Sequence, residues 1–226
     1  MTEENFLERV ALLADLTPTD REKLTEDLDE RVFREGELIF GEDDTTGRFF
    51  LIKQGEVKIS IRREGGREVT LTHLRDGDFF GEMSILDGEP RSARATAVRT
   101  TIALIGDRAD FFAKLRQHPQ IALNLLTIIS RRLRRADQQI EDLSFLDVQG
   151  RVARLLLNMA EEIGTETELG TLVPLEHTRQ ELANFVSTSR ETFTRVLKQF
   201  ERLGYIRLGR RKVMITNTPK LQRKTV

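Results

Sequence analysis

Residues 79–93 read FFGEMSILDGEPRSA. A carboxylate, Glu82, follows a glycine that itself follows two phenylalanines, and a lone guanidinium, Arg91, stands ten positions after Gly81. Two chemistries suit that pairing. The charges could neutralise one another as an ion pair, or they could hold opposite ends of one small ligand bearing an anion and hydroxyl groups.

A second group of candidates lies near the C-terminus. The stretch RETFTRVLK, residues 190–198, carries Arg190, Glu191, Thr194, Arg195 and Lys198 near the start and along one face of a predicted helix, with Ser189 as its N-cap. Arginine matches guanine O6 and N7 with two bonds, and a carboxylate accepts from cytosine N4. A glutamate is unfavourable beside phosphates, so its place between two arginines points to base reading. The plainer alternative is an exposed helix with Glu191 and Arg195 paired four residues apart. Arg179, Arg202, Arg207, Arg210, Arg211 and Lys212 suit phosphates, which position a protein on DNA without specifying sequence.

Both groups need elements to hold them. Between Val32 and Ile105, short β-rich runs (FFLI, VKISI, VTLTHL, TIALI) alternate with glycine-marked turns, and Gly65-Gly66 reads as a hairpin turn. Many short strands at regular spacing predict an antiparallel barrel or jelly roll. From about His118 the period becomes helical. Leu126, Ile129, Leu133, Ala136, Ile140 and Leu143 follow at alternating spacings of 3 and 4, a narrow seam that could pack on its own domain but, flanked by charge on both sides, favours a two-stranded dimer helix. Asp147 is the N-cap of a following helix with Val152, Leu155, Leu156 and Met159 on its buried stripe. Thr178 and Glu181 form a capping box, and Ser189 starts the next helix after a tight turn, giving a helix-turn-helix. YIRLGRRKVMI then reads as two strands about a basic, glycine-containing turn.

Composition narrows the function classes. With no cysteine, thiolate metal sites, iron–sulfur clusters and disulfides are excluded. No apolar run approaches the length of a membrane span, and the acidic start lacks a signal-peptide pattern, so the expectation is a cytoplasmic protein with no membrane role. The net charge of −1 hides an asymmetry: residues 1–45 hold fifteen acids against five bases, and residues 179–226 hold twelve bases against three acids. That segregation predicts two modules, the second facing a polyanion. An enzyme of the metal-dependent jelly-roll kind needs clustered His ligands; of His73, His118 and His177 only His73 lies in the strand region, so neither enzyme activity nor a metal is expected.

The arrangement as a whole resembles bacterial transcription regulators of the cyclic-AMP receptor protein (catabolite activator) family. GEMSILDGEPRSA is similar to that family's phosphate-binding cassette, FLDVQGRVA to its hinge and following helix, and TRQELANFVSTSRETFTRVLKQFERLGYI to its winged helix-turn-helix. The resemblance implies an α+β chain: a cyclic-nucleotide-binding β-roll over residues 1–117, a dimerisation helix and hinge over 118–147, and a winged helix-turn-helix over 148–226. It implies cyclic AMP as effector, with Glu82 on the ribose 2′-hydroxyl, Arg91 on the cyclic phosphate and Ser92 adding a hydroxyl. Gly81, Glu82 and Met83 would line the cradle, and Ala136 and Asp137 would stand where the family offers polar groups to the base. Alanine offers none, and aspartate could accept from either adenine or guanine. Arg179, Ser189, Arg190, Glu191, Thr194, Arg195, Lys198, Arg210 and Arg211 would contact double-stranded DNA at a near-palindromic site. The implied partners are a second copy of the chain and RNA polymerase, the latter through a surface such as the 161–173 loop. The alternative is a regulator on the same scaffold that binds DNA without a small effector. Serine at 187 departs from the glycine usual in the helix-turn-helix turn.

Overall fold

The computed structural model describes residues 6–62 and 68–225, in two compact units, Met1–Leu133 and Arg134–Val226. None of the described helices is long and apolar enough to cross a membrane.

In the first unit a 3-10 turn at Ala11–Leu13 precedes α1 (Pro18–Glu26), which is capped by Thr17, whose side chain accepts from the Asp20 amide. Eight strands follow: β1 (Asp29–Phe33), β2 (Leu38–Phe40), β3 (Arg48–Gln54), β4 (Glu56–Arg62), β5 (Glu68–Arg75), β6 (Phe79–Phe80), β7 (Arg94–Ala97) and β8 (Thr101–Asp107). They pair antiparallel in two sheets, ordered β1-β8-β3-β6 and β2-β7-β4-β5. This is the anticipated β-roll. The turn read from Gly65-Gly66 lies outside the described residues.

Strand β3 shows why an unbroken apolar run belongs in a sheet. Successive side chains point to opposite faces, and both faces are covered. Phe50 and Ile52 join Phe33, Phe40, Val57, Leu74, Phe80 and Ile105 inside the roll. Phe49 and Leu51 join Phe79, Leu104, Phe111, Ile121 and Leu125 in a second cluster that takes in the flanking helices. Rings stack across the sheet on both sides, Phe50 on Phe80 at 4.9 Å and Phe79 on Phe111 at 5.7 Å between centroids. Each buried phenylalanine contributes roughly 1.5–3 kcal/mol, so this paired aromatic layer anchors β6 and the loop that follows it.

A short helix, α2 (Glu82–Asp87), interrupts the strands after β6. Another, α3 (Arg108–Gln117), follows β8 and is not visible in the sequence periodicity, because Phe111 alone of its residues is fully buried. The long helix α4 runs from Pro119 to Phe145. Its seam is left uncovered in the single chain: Leu126, Leu133, Ile140 and Leu143 are each more than half exposed.

In the second unit α5 (Val148–Ile163) begins at Asp147, whose side chain accepts from the Gly150 amide. The charged 161–173 stretch forms a hairpin, β9 (Thr165–Thr167) and β10 (Gly170–Pro174). Helices α6 (Arg179–Phe185) and α7 (Arg190–Arg202) follow, then β11 (Ile206–Gly209), β12 (Lys212–Ile215) and α8 (Thr218–Gln222). The Thr178–Glu181 capping box is complete. Val152, Leu156, Leu182, Ala183, Phe193, Val196, Leu197, Phe200, Ile206 and Ile215 share one core. The sheet is larger than two strands, with order β11-β12-β10-β9. The wing turn also departs from expectation. Its loop is Arg210–Arg211, and the residue with left-handed backbone is Arg211 (φ 54°), not Gly209.

The turn between α6 and α7 holds the other non-glycine residue with positive φ among the described residues, Ser187 at 51°. The Ser187 amide donates to the Asn184 carbonyl, and the Thr188 amide to the Ala183 carbonyl. That pair of bonds is the helix-ending motif in which glycine ordinarily takes the left-handed position. A left-handed non-glycine residue costs about 1–2 kcal/mol, partly offset because glycine loses more freedom on folding. Ser187→Gly is therefore expected to raise the melting temperature by about 1–3 °C in differential scanning calorimetry; an unchanged or lower value would show the serine unstrained.

Candidate ligand pocket and nucleic-acid interface

Strand β6 passes into α2 through Gly81, whose φ is 83°. Glycine is needed there twice over. The left-handed backbone disfavours a side chain, and a Cβ would meet the Arg48 carbonyl oxygen at 2.8 Å and Arg91 Nη1 at 3.0 Å. The loop thus closes tightly on the Arg91 guanidinium, whose side chain is only 2% exposed.

Arg91 is held by named partners. Nη1 donates to the Gly81 carbonyl and to Ser84 Oγ, both at 2.8 Å, and Nη2 donates to the Arg48 carbonyl at 2.8 Å. The Phe40 ring lies 4.1 Å from Cζ. Burial lowers the Arg91 pKa from its ordinary value, while the charges of Asp44 and Glu82 act to raise it. A guanidinium carries five N–H groups; these bonds engage three. What remains is the Nε–H and one Nη2–H, the side-by-side fork that fits a phosphate or carboxylate. Nε is buried and makes no hydrogen bond. Asp44 Oδ1 stands 3.9 Å from it, too far to bond. Burial raises the Asp44 pKa, but hydrogen bonds from Thr46 and the charges of Arg91 and Arg48 outweigh this, so its carboxyl titrates below the usual range and stays ionised.

Glu82 does not pair with Arg91. It is 4% exposed, and Oε1 accepts from Arg132 Nη1 at 2.7 Å. Arg132 also donates through Nη2 to the Phe79 carbonyl. Of the two readings open from sequence, a simple Glu82–Arg91 ion pair is thus replaced by two separate anchorages. Ser92 is exposed, and its hydroxyl donates only weakly to Met83 Sδ at 3.6 Å. Met83 is itself 53% exposed. Ala136 and Asp137 lie exposed on α4, within the second unit. His73 Nδ1 lies 2.6 Å from Glu56 Oε1, a buried pair between β4 and β5.

Sequence reasoning missed Asp44, Ser84 and Arg132, and also the Arg48 carbonyl and the Phe40 ring. Arg132 alone had a readable signal. Ile121, Leu125, Ile128 and Arg132 follow at spacings of 4, 3 and 4, a helical stripe. Ile121 and Leu125 are buried, and Ile128 packs on the same cluster. Arg132 ends that stripe, which is why it turns inward while Arg131, Arg134 and Arg135 are exposed.

On the second unit, α7 begins at Ser189, whose side chain accepts from the Thr192 amide at 3.2 Å. Phe193, Val196, Leu197 and Phe200 fix the helix on the core. The opposite face carries exposed Arg190, Glu191, Arg195 and Lys198, with Thr194 partly exposed; the Thr194 hydroxyl donates back to the Arg190 carbonyl at 2.8 Å. Glu191, Thr194, Arg195, Lys198, Glu201 and Arg202 line a shallow concavity along it. Arg210 and Arg211 stand exposed at the wing tip. Arg179 differs from an open surface cation. It is partly buried, and burial lowers its pKa while the charge of Glu201 acts to raise it.

Comparison with known proteins gives these two regions a common context. Residues 30–118 match the cyclic nucleotide-binding domain, and residues 150–224 match the Crp-like helix-turn-helix domain. The chain is 35% identical over 221 residues to the CRP-like cAMP-activated global transcriptional regulator of Mycobacterium tuberculosis, covering 98% of this chain and 99% of that one. It is 40% identical over 179 residues to the cyclic AMP receptor protein of Thermus thermophilus, covering 79% and 80%. Among solved structures, a CooA mutant from Carboxydothermus hydrogenoformans shares the fold with a TM-score of 0.83 at 23% identity, covering 100% and 98%. A cyclic nucleotide-binding domain and a Crp-like helix-turn-helix domain in one chain, together with near full-length similarity to such regulators, place this protein in the CRP family of transcription regulators.

Proposed function

We propose that the chain is a homodimeric, sequence-specific transcription regulator switched by cyclic AMP, with residues 1–117 as the nucleotide-binding roll, 118–147 as the dimer helix and hinge, and 148–226 as the DNA-binding module. The observation that carries the effector reading is the Arg91 fork: a buried cation with three donors fixed by protein and an Nε–H without a partner. An anion with two oxygens in one plane satisfies it, and a cyclic phosphate is such an anion. The choice of cyclic AMP follows the names of the relatives from Mycobacterium tuberculosis and Thermus thermophilus. For the ligand to control DNA binding it must favour the DNA-competent state over the other; the break between α4 and α5, at Phe145–Val148, is the natural hinge. The exposed acidic hairpin over 161–173 is the surface we assign to RNA polymerase.

A second reading, DNA binding without an effector, draws on one specific fact. The Glu82 carboxylate accepts from a protein group, Arg132 Nη1, at 2.7 Å. The two readings differ in fluorescence anisotropy with a near-palindromic duplex. Cyclic AMP is expected to tighten DNA binding by wild type about tenfold or more. Arg91→Leu should lose that response while keeping the ligand-free affinity. Equal binding by wild type with and without cyclic AMP would favour the second reading.

Dimerisation is supported by the uncovered stripe of α4. Leu133→Glu places a charge in its middle and is expected to shift the sedimenting species from dimer to single chain; an unchanged mass would place the contact elsewhere. On α7, Arg195→Ala is expected to cost roughly 1–3 kcal/mol on the preferred duplex and much less on random DNA. Equal loss on both would make Arg195 a phosphate contact only.

A further inference from the structure

The Met83 thioether occupies an unusual place. Of the methionines among the described residues, Met159 is 9% exposed in the core and Met214 is partly covered in the wing sheet, whereas Met83 is 53% exposed on α2. Its sulfur receives the hydroxyl proton of Ser92, the residue next to Arg91. Sulfur is a weak acceptor, so this contact leaves the Ser92 proton readily available to a stronger one, such as a phosphate oxygen beside the Arg91 fork. The chain has no cysteine and no tryptophan. Oxidant chemistry on its side chains therefore falls chiefly on methionine.

We propose that Met83 is an oxidation site that tunes effector affinity, its sulfoxide weakening the binding of an anionic ligand at Arg91. The step balances simply. A sulfur lone pair attacks one oxygen of a hydroperoxide such as hydrogen peroxide, the O–O bond breaks, and an S–O bond forms. Sulfur loses two electrons, and the peroxide is reduced to water. The product differs from the thioether in two ways that matter here. Its oxygen is a strong hydrogen-bond acceptor and holds the Ser92 proton, and it places partial negative charge beside the position of the ligand phosphate. A hydrogen bond to a charged group is worth enough that losing it weakens binding about tenfold. The change is reversible by methionine sulfoxide reductases.

The inference rests on the ligand reading of the Arg91 site, and one experiment separates the two. The intact protein is titrated with cyclic AMP by calorimetry before and after hydrogen peroxide, with Met83 oxidation followed by peptide mass spectrometry. No binding before peroxide overturns the ligand reading, and this inference with it. If the untreated protein binds, the expected result is about tenfold weaker binding after oxidation, restored by MsrA and MsrB together. Met83→Leu, whatever its starting affinity, should show no response to peroxide, and Met214→Leu should respond as wild type does. Unchanged affinity with Met83 fully oxidised, or oxidation of Met214 with Met83 spared, would overturn the proposal.

Discussion

A guanidinium withdrawn from water needs acceptors, and the backbone around α2 and the start of β3 is arranged around that demand at Arg91. A charged group left uncompensated in a protein interior costs several kcal/mol. Here the compensation comes from backbone carbonyls at Gly81 and Arg48, the Ser84 hydroxyl and the face of Phe40. Each partner brings its own constraint. Gly81 must lack a side chain, α2 must start at Glu82, and the loop before β3 must bring the Arg48 carbonyl close. The stacked phenylalanines of β3 and β6 hold that loop in register. One edge of the guanidinium stays open, and the nearest charge to it is an ionised carboxylate, Asp44, held off at 3.9 Å. An open guanidinium edge therefore stands beside a carboxylate that does not close it.

Helix α4 joins several roles through its periodicity. The stripe Ile121–Leu125–Ile128–Arg132 faces the roll and ends on the Glu82 carboxylate. A different stripe, through Leu126, Leu133 and Ile140, stays exposed. A shift of α4 along or about its axis would disturb the Arg132–Glu82 pair and the exposed seam together. That gives a physical route between the Glu82 carboxylate and the exposed seam.

Local rules made much of this chain legible. Asp147, the Thr178–Glu181 box and Ser189 act within three residues of themselves, so their capping roles follow from sequence alone. The FFLI run and the core face of α7 follow from simple periodicity. What sequence could not show was nonlocal or strained. Arg91 meets Arg48 and Asp44 from more than forty positions away, and neither has a distinguishing pattern. Glu82 and Arg91 share a motif but take different partners, which only three-dimensional packing decides. The left-handed residue of the wing is Arg211 rather than a glycine, because strand pairing from Gly209 to Lys212 sets the turn and the residue there must conform.

The most direct test of this account is a crystal structure of the protein grown with cyclic AMP. The account expects two phosphate oxygens on Arg91 Nε and Nη2, the Gly81, Ser84 and Arg48 contacts retained, and Asp44 displaced outward. A phosphate bound elsewhere, or Arg91 unchanged with its Nε still unbonded, would contradict it.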